Sequence, residues 1–274
     1  FPLYLYPDEE AETLFDDTAT SPWEPDPEHG NRVPNLSKAF VEAMEEKLGL
    51  AFVPHPHPGD AALPHPLAVA PQRDAPPPPC PSHGEGEAFS PRDVLAYAYA
   101  VFHAPTYRER YAEFLKIDFP RLPLTSNVEL FWRLVALGNA LIDLHLLSPD
   151  APALRDVGRV SFPEPGSNRV KRRGGFPKFV PAGESRTKTG EVAEKNRVYI
   201  NLEQYFAGVP RDVWDFQIGG YQVLHKWLKD RRGRVLSYEE LDHYRRIVVA
   251  LQETMGLMER IDATIAAHGG WPMG

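Results

Sequence analysis

Apolar residues recur at helical spacing over several long stretches of the chain. In residues 36–50, Leu36, Phe40, Met44 and Leu48 share one face, and Gly49 sits where a helix should stop. Ser90 followed by Pro91 reads as a cap with proline at the first helical position, and Val94, Leu95, Ala98, Val101 and Phe102 form the apolar face behind it. Tyr107, Tyr111, Phe114 and Leu115 predict a second short helix whose Arg108, Glu109 and Arg110 face water. Two prolines break residues 118–124 (DFPRLPL), which should be extended. Residues 127–147 then carry Leu130, Leu134, Leu137, Leu141 and Leu144 as one long stripe, with Ser126 and Glu129 spaced as a capping box.

The period changes after residue 155. Val157, Arg159 and Ser161 alternate with Gly158, Val160 and Phe162, which predicts a strand, and RVYIN at 197–201 is the clearest strand in the chain. The Gly-rich, basic sequence between them suits turns and ribbons. Helical spacing resumes at Pro210 (PRDVWDFQI), breaks at Gly219 and Gly220, and continues through YQVLHKWLKD. Ser237 and Glu240 form a second capping-box pattern, and Leu241, Tyr244, Val248, Leu251, Met255, Met258 and Ile265 line one face of a last helix. No internal repeat is present. The expected fold is α+β, a mainly helical scaffold with a small, mostly antiparallel sheet from 155–201. It divides into an N-terminal segment (1–52), a Pro/His-rich loop (53–88) and a main domain (89–274). Within the last, helices occupy 90–148, a β-rich basic segment 155–201, and C-terminal helices 210–268.

Composition narrows the picture. With 274 residues, 42% hydrophobic and 25% charged, the chain can bury a core of ordinary size. No run approaches the roughly 18 apolar residues of a membrane span, so no membrane partner is expected. The N-terminus (FPLYLYPDEE) lacks the basic and small-residue features of a signal peptide. Cys80 is the single cysteine, which excludes an internal disulfide and a multi-cysteine zinc site and suits a reducing cytoplasm. Because the chain starts at Phe1 with an orphan strand pattern, it reads as the cut edge of a longer polypeptide, with a trimmed N-terminus as the alternative. His55, His57, His65 and His83 lie in the Pro-rich loop. Neutral imidazoles there could bind a metal, but alternating His-Pro in an extended loop rarely fixes a tetrahedron, so the histidines read as a solvated compositional bias and no metal is expected.

Charge changes the picture most. The net charge is −8 and the pI about 5.7. Residues 155–234, however, hold 17 Lys+Arg against 9 Asp+Glu, an excess of +8 that leaves −16 for everything else. One basic surface on an acidic chain is what a polyanion such as DNA requires. Arg169, Lys171, Arg172 and Arg173 precede a glycine pair, with Phe176, Lys178 and Phe179 following. Arg186, Lys188, Lys195 and Arg197 come next, and Lys226, Lys229, Arg231, Arg232 and Arg234 form a second cluster after a helix. Such side chains neutralise phosphates, and Arg can bind guanine O6 and N7 bidentately from a ribbon in the major groove. A solvated basic loop explains the first cluster equally well, and complementing a helix dipole explains the second. Catalytic signatures are missing: there is no GxGxxG, no GxxxxGK[ST], no GxSxG and no NPPY, and Asp118 with Glu129 does not complete a PD…ExK nuclease set.

Long blocks of the sequence carry a resemblance. FPLYLYP, AYAVFHAPTYRERYAEFLKIDFPRLPLT, LFWRLVALGNALIDLHLL and RVYINLEQYFAGVPRDVWDFQIGGYQVLHKWLKDRRGRVLSYEELDHYRRIVVALQETMGLMERID resemble the C-terminal specificity region of type ISP restriction–modification enzymes, in order, over residues 1–50 and 89–268. The resemblance implies a parent polypeptide with an adenine methyltransferase domain using S-adenosylmethionine, and in many relatives a nuclease and an ATP- and Mg-dependent motor. It makes FPLYLYP the last strand of the methyltransferase domain and implies no cofactor in this chain. The function expected is sequence-specific duplex DNA recognition that positions a target adenine for that neighbouring domain. The competing expectation is a helical docking module between methyltransferase and motor, supported by the apolar stripes of 127–147 and 237–265. A free-standing enzyme is the third and least supported.

Overall fold

The structure, a computed structural model, describes residues 3–6, 22–56, 88–149, 151–184 and 192–273. The chain divides into two compact units, one of residues 1–142 with 257–274, the other of residues 143–256. His57, His65, Cys80, His83, Arg186 and Lys188 lie outside the described residues.

In the first unit β1 (Tyr4–Leu5) pairs antiparallel with β2 (Val33–Pro34). Helix α1 (Lys38–Leu48) starts where the Ser37 hydroxyl accepts the Phe40 N–H and stops at left-handed Gly49. It buries Val41, Met44 and Leu48, whereas the expected Leu36 and Phe40 are only half-buried: Leu36 precedes the cap and so lies outside the helix. β3 (Ala51–Phe52) and β4 (Ala88–Phe89) form a parallel pair. Helix α2 (Pro91–His103) has a complete capping box between Ser90 and Asp93. Its buried face includes Val94, Tyr97 and Val101 with Ala96 and Ala100, while the expected Leu95 is 41% exposed. Small residues point inward because a second backbone comes close there. A Cβ on Gly138 would stand 1.8 Å from the Ala96 carbonyl oxygen.

Helices α3 (Pro105–Arg110) and α4 (Ala112–Leu115) follow, and of their aromatic residues Tyr107 is buried. The segment 118–127 is irregular, as its prolines require, and is pinned where the Tyr97 and Tyr107 hydroxyls donate to the Pro123 and Arg121 carbonyls, each at 2.7 Å. Helix α5 (Val128–His145) is capped by Asn127, not by Ser126: the Asn127 carboxamide oxygen accepts the Leu130 N–H at 3.0 Å. The Thr125 hydroxyl accepts the Asn127 N–H, which sets the cap one residue later than the S-x-x-E spacing suggests. Leu130, Leu134, Leu137, Leu141 and Leu144 are all buried, so this stripe serves the chain's own interior. Residues 257–273 close the unit, with Asp262 accepting the Thr106 hydroxyl at 2.6 Å and Trp271 donating to the same hydroxyl.

In the second unit β5 (Lys178–Val180), β6 (Arg197–Tyr199) and β7 (Tyr205–Ala207) make an antiparallel sheet in that order. The sheet therefore extends beyond 201 to include β7. The alternating stretch 157–162 is not a strand. It is a turn, with the Asp156 carboxylate accepting the Gly158 N–H at 2.7 Å and Val160 bonding back to Val157, and it reaches the sheet only at a bridge between Ser161 and Ala207. The aspartate offers the backbone a local partner that competes with a ladder.

Helix α6 (Arg211–Asp215) is followed by a hairpin of β8 (Gln217–Ile218) and β9 (Tyr221–Gln222), then by α7 (Val223–Lys229). This replaces the two longer helices expected on either side of Gly219 and Gly220. Both glycines have positive φ, 57° and 81°, as a two-residue primed hairpin turn demands. Helix α8 (Tyr238–Ala267) opens with the expected capping box between Ser237 and Glu240. Leu241, Tyr244, Val248 and Leu251 are buried as expected, while further on Thr254, Leu257 and Ile261 replace Met255 and Met258 in the interior. At 3.6 residues per turn both sets lie near the stripe, and a thirty-residue helix lets it drift. Phe206 and Tyr244, both fully buried, meet at 4.3 Å between ring centroids in this unit's core, and the half-buried Trp227 ring lies 5.2 Å from Tyr244.

Among the described residues no helix is long and apolar enough to cross a membrane.

The close helix approach at Gly138 gives a direct test. Propensity alone favours alanine there by about 1 kcal/mol, but overpacking costs about 1–3 kcal/mol. Gly138→Ala should therefore lower thermal stability by several degrees in a melting experiment, the reverse of the helix-propensity expectation.

Candidate nucleic-acid interface

Two basic segments some sixty residues apart in sequence lie side by side in the second unit. The backbone of 168–171 is hydrogen-bonded to that of 233–236: Val170 N–H to Arg234 O at 2.9 Å, Gly233 N–H to Val170 O at 2.6 Å, and Leu236 N–H to Asn168 O at 2.9 Å. Lys171 N–H reaches Ile200 O on the opposite side at 2.9 Å. The loop is thus an inserted segment between the end of β6 and the approach to α8, not the free two-stranded ribbon that the sequence suggests.

What fixes this loop is Gln204, 1% exposed. Its carboxamide oxygen accepts the Asn168 N–H at 2.7 Å and the Asn201 side chain at 3.0 Å. Its nitrogen donates to Glu164 O at 3.1 Å and to the Asn168 side-chain oxygen at 2.8 Å. Both donors and both acceptor sites of the amide are used, which is the full capacity of the group. Asn201 extends the network by donating to Arg169 O at 3.1 Å. No periodicity or charge pattern singles out Gln204. Only the spatial meeting of 164–168 with the turn after β6 does.

The basic side chains fall into two groups. Several are tied into the fold. Arg232 Nε donates to the carbonyl of buried Phe176 at 2.7 Å, and Arg169 donates to Gly233 O at 2.6 Å. Arg231 lies 3.6 Å over the Trp227 ring and pairs with Glu240, as does Arg234 at 3.0 Å. The Glu240 carboxyl is held below the usual carboxylate range first by the Ser237 N–H and then by these two guanidiniums. Arg197 stacks 4.4 Å over Tyr205, Lys226 pairs with Asp230, and the Arg172 side chain crosses Gly233. Lys171 sits with its ammonium 5.7 Å from the Phe176 ring. Arg173, Lys178, Lys195 and Lys229 are exposed and make no side-chain hydrogen bond or ion pair among the described residues.

The sequence did not point to Arg211, which lies 5.2 Å over Phe179, itself stacked on Trp214 at 5.8 Å. His225 packs edge-on against Trp214 at 5.7 Å. Burial, then the positive fields of Arg232 and Lys229, hold its imidazole below the ordinary histidine range. Arg232 and Lys229 thus act on the same imidazole. Among the described residues no group of three His, Cys, Asp or Glu comes together as metal ligands. His55 instead bonds through Nε2 to Glu24 O at 2.8 Å.

In this α+β unit the basic loop is thus locked against the segment that leads into the cap of α8. The chain belongs to the type ISP C-terminal specificity domain family, whose model matches residues 1–260. Three solved structures are similar to it: a DrdV–DNA complex (18% identity, TM-score 0.49, 86% of this chain), a nuclease-deletion mutant of the type ISP restriction–modification enzyme LlaGI in complex with a DNA substrate mimic (22%, 0.41, 62%), and the ATP-dependent type ISP enzyme LlaBIII bound to DNA (15%, 0.48, 95%). The aligned region spans 21%, 13% and 13% of those chains respectively. No curated protein sequence matches the chain.

Two predictions separate positioning groups from free cations. Gln204→Leu leaves the Asn168 N–H and the Glu164 carbonyl without partners, at about 1–3 kcal/mol each. It should lower the melting temperature and speed amide exchange at Val170 and Lys171. Arg232→Ala, which strips a charged donor from the Phe176 carbonyl, should cost about 1.5–3 kcal/mol in denaturant unfolding, whereas Arg173→Ala should stay within about 0.5 kcal/mol of the parent.

Proposed function

We propose that this chain is the duplex-DNA-recognition module of a restriction–modification protein, gripping phosphates with its basic face and reading sequence for catalytic domains elsewhere in the parent polypeptide. The observation that carries this reading is the convergence of residues 168–173 and 226–234 on one surface of an otherwise acidic chain. Convergence concentrates positive potential, and the internal hydrogen bonds fix its geometry before any ligand arrives. A pre-ordered backbone beneath those cations lowers the entropy lost when they meet phosphates. Arg173, Lys178, Lys195 and Lys229 are exposed and keep unspent donors among the described residues, so they are assigned to the phosphate backbone, where contacts set register rather than sequence. Arg169, Arg231, Arg232 and Arg234 are assigned mainly to shaping that face.

Membership in a specificity-domain family supports the same reading. A target adenine cannot be methylated within the base stack, so the parent must flip it into a methyltransferase domain while this module holds the flanking duplex. S-adenosylmethionine, and ATP with Mg where a motor is present, belong to those other domains. The methyltransferase domain of the same polypeptide is thus the second partner.

A salt titration tests the reading. Phosphate contacts release counterions, so log K should fall linearly with log salt, with a slope near −0.9 per contact. Substituting Arg173, Lys178 and Lys195 together by Glu should weaken binding at least tenfold and reduce the slope by about 2–3, with an unchanged melting temperature. Binding that is indifferent to salt, or to the triple substitution, would rule out the assignment.

A further inference from the structure

The tip of the β8–β9 hairpin, in the second unit, is exposed to solvent. Gln217, Ile218, Gly219, Gly220 and Tyr221 are all exposed, Ile218 to 55% and Tyr221 to 62%. Ile218 and Tyr221 are paired across the turn, so they lie on the same face of the hairpin. The base of the hairpin is anchored. Val213 and Trp214 of α6 and Leu224 and Leu228 of α7 are buried, and Gln222 donates to Asp215 at 3.2 Å. Folding therefore holds out two large apolar side chains on a short ribbon and covers neither.

The charges around it do not oppose a polyanion. Asp215 is paired with Arg211 and Asp230 with Lys226, while Asp212 accepts the Val213 N–H, so the nearby carboxylates are largely engaged. Lys229 is exposed one helix away, and its field and that of Arg232 reach His225 between them. The basic loop at 168–173 is less suited to enter a groove, since its backbone is hydrogen-bonded along one edge to 233–236 and Arg169 donates to a carbonyl there. A two-stranded ribbon, by contrast, fits the major groove.

We infer that the β8–β9 tip is the base-contacting element of this chain: Ile218 and Tyr221 enter the major groove of duplex DNA against thymine methyl groups and base edges. The inference rests on the DNA-recognition reading above and assigns its specificity to residues outside the basic clusters. Apolar contact with thymine methyls tells bases apart, and phosphate contact does not.

The test uses the full 274-residue chain. A preferred duplex is selected from a random-sequence pool. Kd is then measured for it and for a shuffled duplex at two salt concentrations, with the parent chain, Ile218→Ser/Tyr221→Ser and Tyr221→Phe. The double variant should lose at least tenfold of the preference for the selected duplex, while its affinity for the shuffled duplex stays within about twofold and its counterion slope is unchanged. Tyr221→Phe, which keeps the apolar ring, should retain most of the preference. If the double variant keeps its preference, the hairpin is not the reader and DNA recognition stands without it. Salt-sensitive binding by the parent with no preferred sequence overturns the hairpin assignment and leaves the phosphate grip. Absence of salt-sensitive binding by the parent removes both readings. Altered self-association of the double variant, with the preference intact, would make the hairpin a contact between copies of the chain.

Discussion

The buried carboxamide of Gln204 is the group on which the basic face depends. Fixing a loop of cations against its neighbour opposes both charge repulsion and backbone entropy, and fixing the backbone costs about 1–2 kcal/mol per residue. A single exposed hydrogen bond returns too little to offset that. Here one amide at 1% exposure makes four bonds, to Asn168 twice, to Asn201 and to Glu164, and the loop backbone then pairs with 233–236. Removing any one partner leaves buried polar groups unsatisfied, so the arrangement is held cooperatively.

The same logic sorts the arginines and lysines. A cation that spends its donors on a carbonyl or carboxylate shapes the surface, as Arg232 does on Phe176 and Arg231 and Arg234 do on Glu240. A cation with no such partner among the described residues keeps its donors, as Arg173, Lys178, Lys195 and Lys229 do. The planar, bidentate guanidinium suits the first task and the flexible ammonium suits the second. Counting basic residues along the chain cannot make this division, because it depends on what each side chain meets in space.

The sheet and the hairpin illustrate how local chemistry competes with pattern. Residues 157–162 alternate as a strand should, yet Asp156 captures the Gly158 N–H and the segment turns. The helical spacing around 210–230 is real at α6 and α7, but two adjacent glycines at positive φ impose a primed turn between them, and the flanking residues pair as strands. In both places a few backbone-directed groups outweigh a weak periodic signal. The consequence at 217–222 is an exposed apolar tip that helical reading would have folded away.

By itself the sequence determined the α+β class, the long helices with their caps at Ser90 and Ser237, the proline-broken segment at 118–124, and the basic excess of 155–234, because each is encoded by spacing or composition within a short window. The long blocks also carried the family, which the match over residues 1–260 bears out. Only the tertiary structure decided that the two basic clusters are neighbours, that Gln204 holds one of them, that β7 completes the sheet, and that α2 turns Leu95 to solvent so that Gly138 can approach Ala96. These features depend on pairs of residues distant along the chain, and a hydrogen bond or a steric limit between them leaves no periodic trace in either partner's own surroundings.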